Sequence, residues 1–192
     1  MAWLPVFEIG FWNAWILGLF VLLHPLVMKF VDFAFGFGDI NRKMGETTEA
    51  KSEKRLISVP SLLLIALFIC SVFLPLRLNS FWFYSGLVVY SLGIALFLSS
   101  IVTAAKTPTG QVFCEGMYRY SRHPLYLSFM FIFLGISLAS VSWLFLLLSL
   151  LWMTFPLSQV NAEELGCLET FGVGYQEYLQ KTPKWLGIPK RH

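Results

Sequence analysis

Charged residues are scarce in this sequence: Asp, Glu, Lys and Arg together make up 13% of its 192 residues. Soluble globular domains carry about 25% charged residues, whereas 57% of this chain is hydrophobic. The composition therefore predicts an integral membrane protein. The length suits one membrane domain over residues 1–192, with three N-terminal spans in residues 1–105 and a functional core in residues 106–192.

Cysteine is also scarce, and basic charge is not in large excess. The three cysteines lie far apart, with no Cys-x-x-Cys pair, so neither a disulfide framework nor a metal site is predicted. The net charge is only +3, and the basic residues lie between apolar runs. This distribution is typical of residues that orient a membrane protein, and it argues against a nucleic-acid-binding protein.

Long apolar runs, in contrast, follow one another along the chain. A helix needs about 20 apolar residues to cross a bilayer. Runs at residues 9–30, 56–76 and 81–104 predict three spans. The run from Pro124 to about Pro156 is too long for one span and predicts a helical hairpin that turns near Ser140 to Trp143. The predicted fold is an all-α membrane bundle of about five transmembrane helices, with a C-terminal helical hairpin and a polar tail.

The first apolar run contains one feature with two interpretations. His24 and Pro25 lie inside it. The pair indicates either a proline kink whose histidine is bonded within the bundle, or a histidine that faces a substrate.

The basic residues predict the orientation of the bundle. Lys and Arg are concentrated in the loop at residues 36–55, in the segment at residues 106–123 and in the tail after residue 159. Loops rich in Lys and Arg stay on the cytoplasmic side. We therefore expect the N-terminus outside and the C-terminus in the cytoplasm, which places the segment before Pro124 and the pair Glu163–Glu164 at the same face.

The densest group of polar side chains lies just before the hairpin, in the segment Gly-Met-Tyr-Arg-Tyr-Ser-Arg-His-Pro-Leu-Tyr at residues 116–126. Pro124 suits the first turn of a helix, where its missing N–H has no partner to lose. A helix N-terminus with Arg122 and His123 beside it can hold an anionic or zwitterionic small molecule. Alternatively, Arg119 and Arg122 are orientation charges that snorkel to the interface.

Taken together, the polar segment and the tail resemble a known superfamily. The pattern Gly116-x-Tyr-x-Tyr-x-Arg-His-Pro-x-Tyr126, then Glu163–Glu164, then Phe-Gly-x-x-Tyr-x-x-Tyr at residues 171–178, is similar to the isoprenylcysteine carboxyl methyltransferase and phospholipid methyltransferase superfamily. The ending Lys-Thr-Pro-Lys-Trp at residues 181–185 resembles tails of its bacterial members. The resemblance covers about residues 106–187. It implies an enzyme of a bacterial inner membrane that uses S-adenosylmethionine as methyl donor, bound between the last two helices and the tail.

The resemblance also implies which residues form the site. Arg122 and His123 are the implied catalytic residues, with Arg122 nearest the acceptor. One glutamate of the pair would contact the amino acid part of the donor, and its neighbour would point elsewhere because adjacent helical residues diverge by about 100°. The implied cofactor-binding residues are His123, Pro124, Leu125, Tyr126, Glu163 and Glu164.

The acceptor stays open at this point. A lipophilic acceptor would enter from the membrane lipids; a carboxylate needs no base, whereas an amine or thiol needs a proton removed, for which His123 is the first candidate. Several relatives carry Arg where this sequence has Gln159, which puts carboxyl methylation in question. Prenylated cysteine, phospholipid amine, isoprenoid acid and small thiol all remain possible acceptors, and the oligomeric state is not indicated.

Two other classes remain beside the methyltransferase. One is a membrane reductase of the sterol type, which would use a nicotinamide cofactor; the absence of Gly-x-Gly-x-x-Gly does not decide against it, because such membrane enzymes need no Rossmann fold. The other is a small membrane protein without enzymatic activity. Stabilisation by S-adenosylhomocysteine, by a nicotinamide dinucleotide or by neither distinguishes the three.

Overall fold

The computed structural model describes residues 8–35, 59–108 and 110–190, and this part of the chain is helical. Its described residues form no β-strand, only an isolated bridge between Asn13 and Pro75. The all-α prediction is therefore confirmed for these residues. The predicted cytoplasmic loop at residues 36–55 lies outside them. The helices are α1 (Trp15–Phe35), α2 (Val59–Val72), α3 (Phe81–Lys106), a 3₁₀ helix (Gly116–Arg119), α4 (Pro124–Ser140), α5 (Trp143–Phe171) and α6 (Val173–Lys181).

Three of these helices, α1, α3 and α5, are long and apolar enough to cross a membrane, so the chain is an integral membrane protein. The other two apolar helices, α2 and α4, are shorter, with 14 and 17 residues. The count of about five spans remains a prediction, because a 17-residue helix is at the lower limit for spanning.

The first helix begins later than its apolar run predicts. Residues 9–14 precede α1, and Asn13 lies in a turn among backbone carbonyls. Its Nδ2 donates to the carbonyls of Glu8 and Val72 at 2.6 and 2.7 Å. These bonds satisfy the carbonyl of Glu8, which precedes α1, and that of Val72, the last residue of α2, and they hold Asn13 in a non-helical turn before α1 begins at Trp15.

The predicted hairpin is confirmed at the predicted place. Helix α4 ends at Ser140 and α5 begins at Trp143. Val141 between them has φ 51°, a left-handed conformation that reverses the chain. Ser142 then caps α5, because its Oγ accepts a hydrogen bond from the Phe145 N–H at 3.2 Å.

The chain forms two compact units, of which the first comprises the described residues within 1–24, 54–94 and 128–157. Its helices pack closely through small residues: a Cβ added to Gly135 would lie 2.6 Å from the Tyr90 backbone nitrogen. His24 belongs to this unit and donates from Nδ1 to the Val21 carbonyl at 2.6 Å, with its ring at the edge of the Phe129 ring. These contacts favour the interpretation of His24 as a residue bonded within the bundle.

The second unit comprises the described residues within 25–53, 95–127 and 158–192. The chain turns between α5 and α6 at Gly172, whose φ of 54° favours glycine. The C-terminal segment then returns to the 3₁₀ helix and the start of α4. The Arg122 N–H donates to the Pro183 carbonyl at 3.1 Å, and the Gly187 N–H donates to the Tyr120 carbonyl at 3.0 Å. The unit thereby joins the polar segment, the end of α5 and the tail.

Candidate functional site

The site begins with the local structure that starts α4. The 3₁₀ helix ends at Arg119, and Ser121 Oγ accepts a hydrogen bond from the His123 N–H at 3.1 Å. Pro124 occupies the first position of α4, as its missing N–H predicts. His123 is thus held immediately before the helix, and Tyr126 lies within the first turn.

Glu164, on α5, is the centre of the charged cluster. Its Oε1 accepts a hydrogen bond from His123 Nε2 at 3.0 Å and lies 3.3 Å from Arg122 Nε. Its Oε2 lies 3.6 Å from Lys184 Nζ, and the same ammonium donates to Asn161 Oδ1 at 2.6 Å. One carboxylate therefore ties the start of α4 and the C-terminal segment to α5.

Glu163 takes a different set of partners. Its Oε1 accepts a hydrogen bond from the Tyr126 hydroxyl, and its Oε2 lies 3.6 Å from His123 Nδ1. His123 therefore has a carboxylate near each ring nitrogen. The Tyr126 ring also stacks on the His123 imidazole, with ring centroids 5.8 Å apart and an angle of 10° between the ring planes. The centroid of the Trp185 ring lies 5.9 Å from that of the imidazole.

Burial decides the protonation of His123, whose side chain is only 8% exposed. Desolvation lowers the pKa of His123 below its usual 6.5, although its hydrogen bond to Glu164 and the nearby carboxylates oppose this shift. The imidazole is therefore neutral at neutral pH. Since a carboxylate can only accept, Nε2 carries the proton toward Glu164, and Nδ1 keeps its lone pair.

A cavity of about 140 Å³ adjoins this cluster. Six of the seven residues predicted for the site line it, while Glu164 is not among the described residues of its wall. The two adjacent glutamates thus differ: Glu163 faces the cavity, and Glu164 is held in the ion cluster. The lining residues are Val112, Phe113, Tyr118, Arg122, His123, Pro124, Leu125, Tyr126, Glu163, Cys167, Phe171, Tyr175 and Tyr178.

The aromatic wall of this cavity is the part that sequence reasoning missed. Tyr118, Tyr175 and Tyr178 form a buried cluster, and the Tyr178 hydroxyl donates to the Tyr118 carbonyl at 2.7 Å. Burial raises the pKa of all three phenols above the usual value, which keeps them neutral. The three-residue spacing of Tyr175 and Tyr178 is a helical packing signal; here the packed face also forms a cavity wall.

The side chains around the cavity fit the chemistry of S-adenosylmethionine. The donor has two cationic groups, which suit Glu163, and a carboxylate, which suits a guanidinium. Arg122 Nε is buried and has no hydrogen-bond acceptor of suitable geometry among the described residues, despite its ion pair with Glu164. An incoming anion could supply that acceptor. The cavity is smaller than the roughly 300–1,000 Å³ of usual ligand pockets, so it would have to enlarge to enclose a molecule of this size.

In the part of the chain that the structure describes, no three His, Cys, Asp or Glu residues form a group that could hold a metal ion.

Lys184 and Trp185 are further residues of the cluster around Glu164 and His123. Sequence reasoning noted them only as part of a tail motif, and the structure places them against Glu164 and His123.

A comparison with protein families agrees with the geometry. Residues 81–172 match the family described as Phospholipid methyltransferase. No curated protein and no solved structure matches the chain. The match confirms the superfamily resemblance over these residues, which make up just under half of the chain. That family implies a membrane methyltransferase that uses S-adenosylmethionine and acts on a phospholipid-like acceptor.

Proposed function

We propose that this protein transfers a methyl group from S-adenosylmethionine to a lipophilic acceptor at the cytoplasmic boundary of the membrane, since residues 81–172 match the phospholipid methyltransferase family. The donor binds in the cavity beside His123, between α4, α5 and the C-terminal segment. The observation that supports this proposal is the convergence of residues 122–126 and Glu163, about forty residues later, around that one cavity, with Glu164 bonded to His123 behind it.

The bound donor supplies an electrophilic methyl group on a sulfonium. Glu163 holds a cationic part of the donor. Arg122 holds its carboxylate, which is a role at the donor instead of the contact with the acceptor that the resemblance implies. Glu164 acts indirectly: it fixes the Arg122 side chain and the His123 ring through contacts of 3.3 and 3.0 Å. Methyl transfer depends mainly on alignment and on exclusion of water, and the aromatic wall provides the exclusion.

His123 is the residue of the site that can remove a proton from an amine or thiol acceptor. Its neutral Nδ1 can accept a proton from an amine or thiol. The resulting imidazolium would lie between two carboxylates, at 3.6 and 3.0 Å, which stabilise the added charge. The family match and Gln159, at a position where several relatives carry Arg, both favour an amine of a phospholipid-like acceptor over a carboxylate.

Calorimetric binding of S-adenosylhomocysteine to the detergent-purified protein tests the donor site. We expect saturable binding by the wild type, loss of binding in His123→Ala, and weakening of about tenfold or more in Glu163→Gln, since a charge-assisted contact is lost. Glu169→Gln is the matched control, because Glu169 lies on the same helix and is exposed.

The same experiment separates the alternatives. A folded wild type that binds a nicotinamide dinucleotide instead of S-adenosylhomocysteine would replace the methyltransferase proposal with the reductase. Binding of neither would leave a protein without enzymatic activity. Equal affinity in wild type and in a folded His123→Ala variant would overturn the site assignment while leaving the donor in place. The acceptor is then identified by radiolabelled methyl transfer into membrane extracts.

A further inference from the structure

A second cavity in the same unit is lined by side chains that the proposed methyl transfer does not use. Its volume is about 330 Å³. Three cationic residues, Arg119, Lys181 and Lys190, line it together with one acidic residue, Glu177. They come from three separate elements: the 3₁₀ helix, the last turn of α6 and the C-terminal segment. Their convergence is therefore a product of the tertiary fold.

The backbone fixes this convergence. The Lys190 N–H donates to the Lys181 carbonyl at 2.9 Å, and the Thr182 N–H donates to the Tyr178 carbonyl at 2.9 Å. The first bond places the C-terminal segment beside the end of α6. Lys181 is consequently held next to Lys190 by main-chain contacts rather than by flexible side chains alone.

The charges of the cavity do not cancel. Glu177 lies 3.7 Å from Lys181, an i,i+4 pair on α6. No hydrogen bond or ion pair of the Arg119 and Lys190 side chains is formed with the described residues. The one acidic residue of the cavity is thus paired with Lys181, and the side chains of Arg119 and Lys190 have no ion-pair partner among the described residues, so their mutual repulsion favours the binding of an anion. Phosphate suits it well, since Arg and Lys donate charge-assisted hydrogen bonds to several oxygens at once.

The surroundings indicate that this phosphate belongs to a lipid. The C-terminal segment exposes Trp185, Leu186 and Ile188, the last two by 64% and 89%. Large apolar side chains beside basic ones are typical of segments that lie in the headgroup region of a membrane. A phosphate ion free in water would gain nothing from these apolar neighbours, whereas a phospholipid would.

We propose that the cavity lined by Arg119, Lys181 and Lys190 binds the phosphate of a membrane lipid headgroup. The lipid is held there by the cations, while the apolar side chains of the C-terminal segment contact its upper acyl region. Val112 and Tyr178 line both this cavity and the one beside His123. A bound lipid therefore contacts residues that also line the proposed donor cavity.

Cys114 provides a native reporter for the test, since it lines the cavity and is exposed. Its rate of alkylation by a maleimide, measured by mass spectrometry in detergent, should fall when short-chain phosphatidylglycerol is added. Cys70 lies in the other unit and serves as an internal reference. The cations are neutralised by Arg119→Gln, Lys181→Gln and Lys190→Gln. Each substitution should raise the lipid concentration needed for half-maximal protection of Cys114 by about tenfold.

The controls distinguish charge from fold and lipid from free anion. The charge-preserving set Arg119→Lys, Lys181→Arg and Lys190→Arg should keep the protection, and so should the neutral set Lys29→Gln with Arg77→Gln, since neither of these residues lines the cavity. Equal protection by inorganic phosphate, or by a short-chain diacylglycerol without phosphate, would overturn the lipid phosphate site, as would no protection at all. Because no methyl donor is present, the result is independent of whether the protein is a methyltransferase.

Discussion

The two units of this protein satisfy their buried polar groups in different ways. In the first unit, buried serines bond to carbonyls of their own helices: Ser71 Oγ donates to Phe68 and Ser137 Oγ donates to Phe133, at 2.6 and 2.7 Å. In the second unit, His123 and Tyr126 bond to glutamates 41 and 37 residues away in the sequence. The polar side chains of the first unit donate to backbone carbonyls, either within one helix or across the unit, as the Tyr90 hydroxyl does to the Leu17 carbonyl at 2.9 Å. In the second unit, by contrast, carboxylate side chains accept the hydrogen bonds of other side chains.

This difference shows where the chain can tolerate change. A serine bonded to its own helix imposes no requirement on any other helix, and a bond to a backbone carbonyl leaves no charge unpaired when its donor is lost. The cluster around Glu164 depends on every partner, because an unpaired charge in a partly buried site is costly. The first unit is characterised by closely packed helices, and the second contains the cluster of ionisable side chains, whose contacts require a defined geometry.

If the two units differ in this way, the largest loss of stability is expected on substitution of Glu164. Glu164→Ala removes the partner of His123, Arg122 and Lys184 together, and we expect the free energy of unfolding to fall by about 2–5 kcal/mol, since it leaves buried donors and a largely buried cation unpaired. Reversible unfolding of the detergent-solubilised protein in SDS measures the change.

Two variants complete this test. Ser137→Ala, in the first unit, should cost only about 0.5–1.5 kcal/mol, and Glu169→Ala, exposed on the same helix as Glu164, should cost less. A loss for Ser137→Ala as large as that for Glu164→Ala would show that the two units do not differ in the way described.

An intermediate effect is expected from the packing of the first unit. Gly135→Ala introduces a Cβ 2.6 Å from the Tyr90 backbone nitrogen, so the helices must separate. Overpacking of this kind costs about 1–3 kcal/mol. Gly174→Ala in α6 is the control, because no heavy atom lies within 4 Å of its added Cβ. Thermal unfolding should show a lower Tm for Gly135→Ala alone; equal Tm values for the two variants would contradict the close helix contact.

The smallest effect concerns the pH dependence of the His123 cluster. Because burial lowers the pKa of His123 in the folded protein, its neutral form favours folding above the unfolded value of about 6.5. This stabilising contribution is lost as the pH falls through the lowered pKa of the folded state. We expect the Tm of the wild type to fall more than that of His123→Gln between about pH 7.5 and 5.5. Parallel Tm curves for the two proteins would show that His123 is not buried in its neutral form.

Several parts of the fold could be predicted from the sequence because they depend on local pattern. The hairpin turn follows from an apolar run too long for one span, and it lies between Ser140 and Trp143 as expected. The start of α4 at Pro124 follows from the geometry of proline. The helix α1 was less predictable: hydropathy alone places its start near residue 9, but the long-range bonds of Asn13 delay it to Trp15.

The residues proposed for the candidate site follow from the superfamily pattern, whereas their arrangement follows from the tertiary structure. A superfamily pattern pointed to residues 122–126 and to both glutamates, without indicating which glutamate faces a ligand. The spacing of Tyr175 and Tyr178 suggested packing, and a packed face can also be a cavity wall once the chain turns at Gly172.

The sequence by itself determined that this chain is helical, that it lies in a membrane and that its polar residues form clusters, because hydropathy and helix-terminal chemistry act over a few turns of chain. Only the tertiary structure decided that Glu163 faces a cavity while Glu164 holds an ion cluster. It also decided that Arg119, Lys181 and Lys190 meet. These outcomes depend on how the C-terminal segment returns to the start of α4, through main-chain bonds such as that from Gly187 to Tyr120, and no local pattern specifies such a contact.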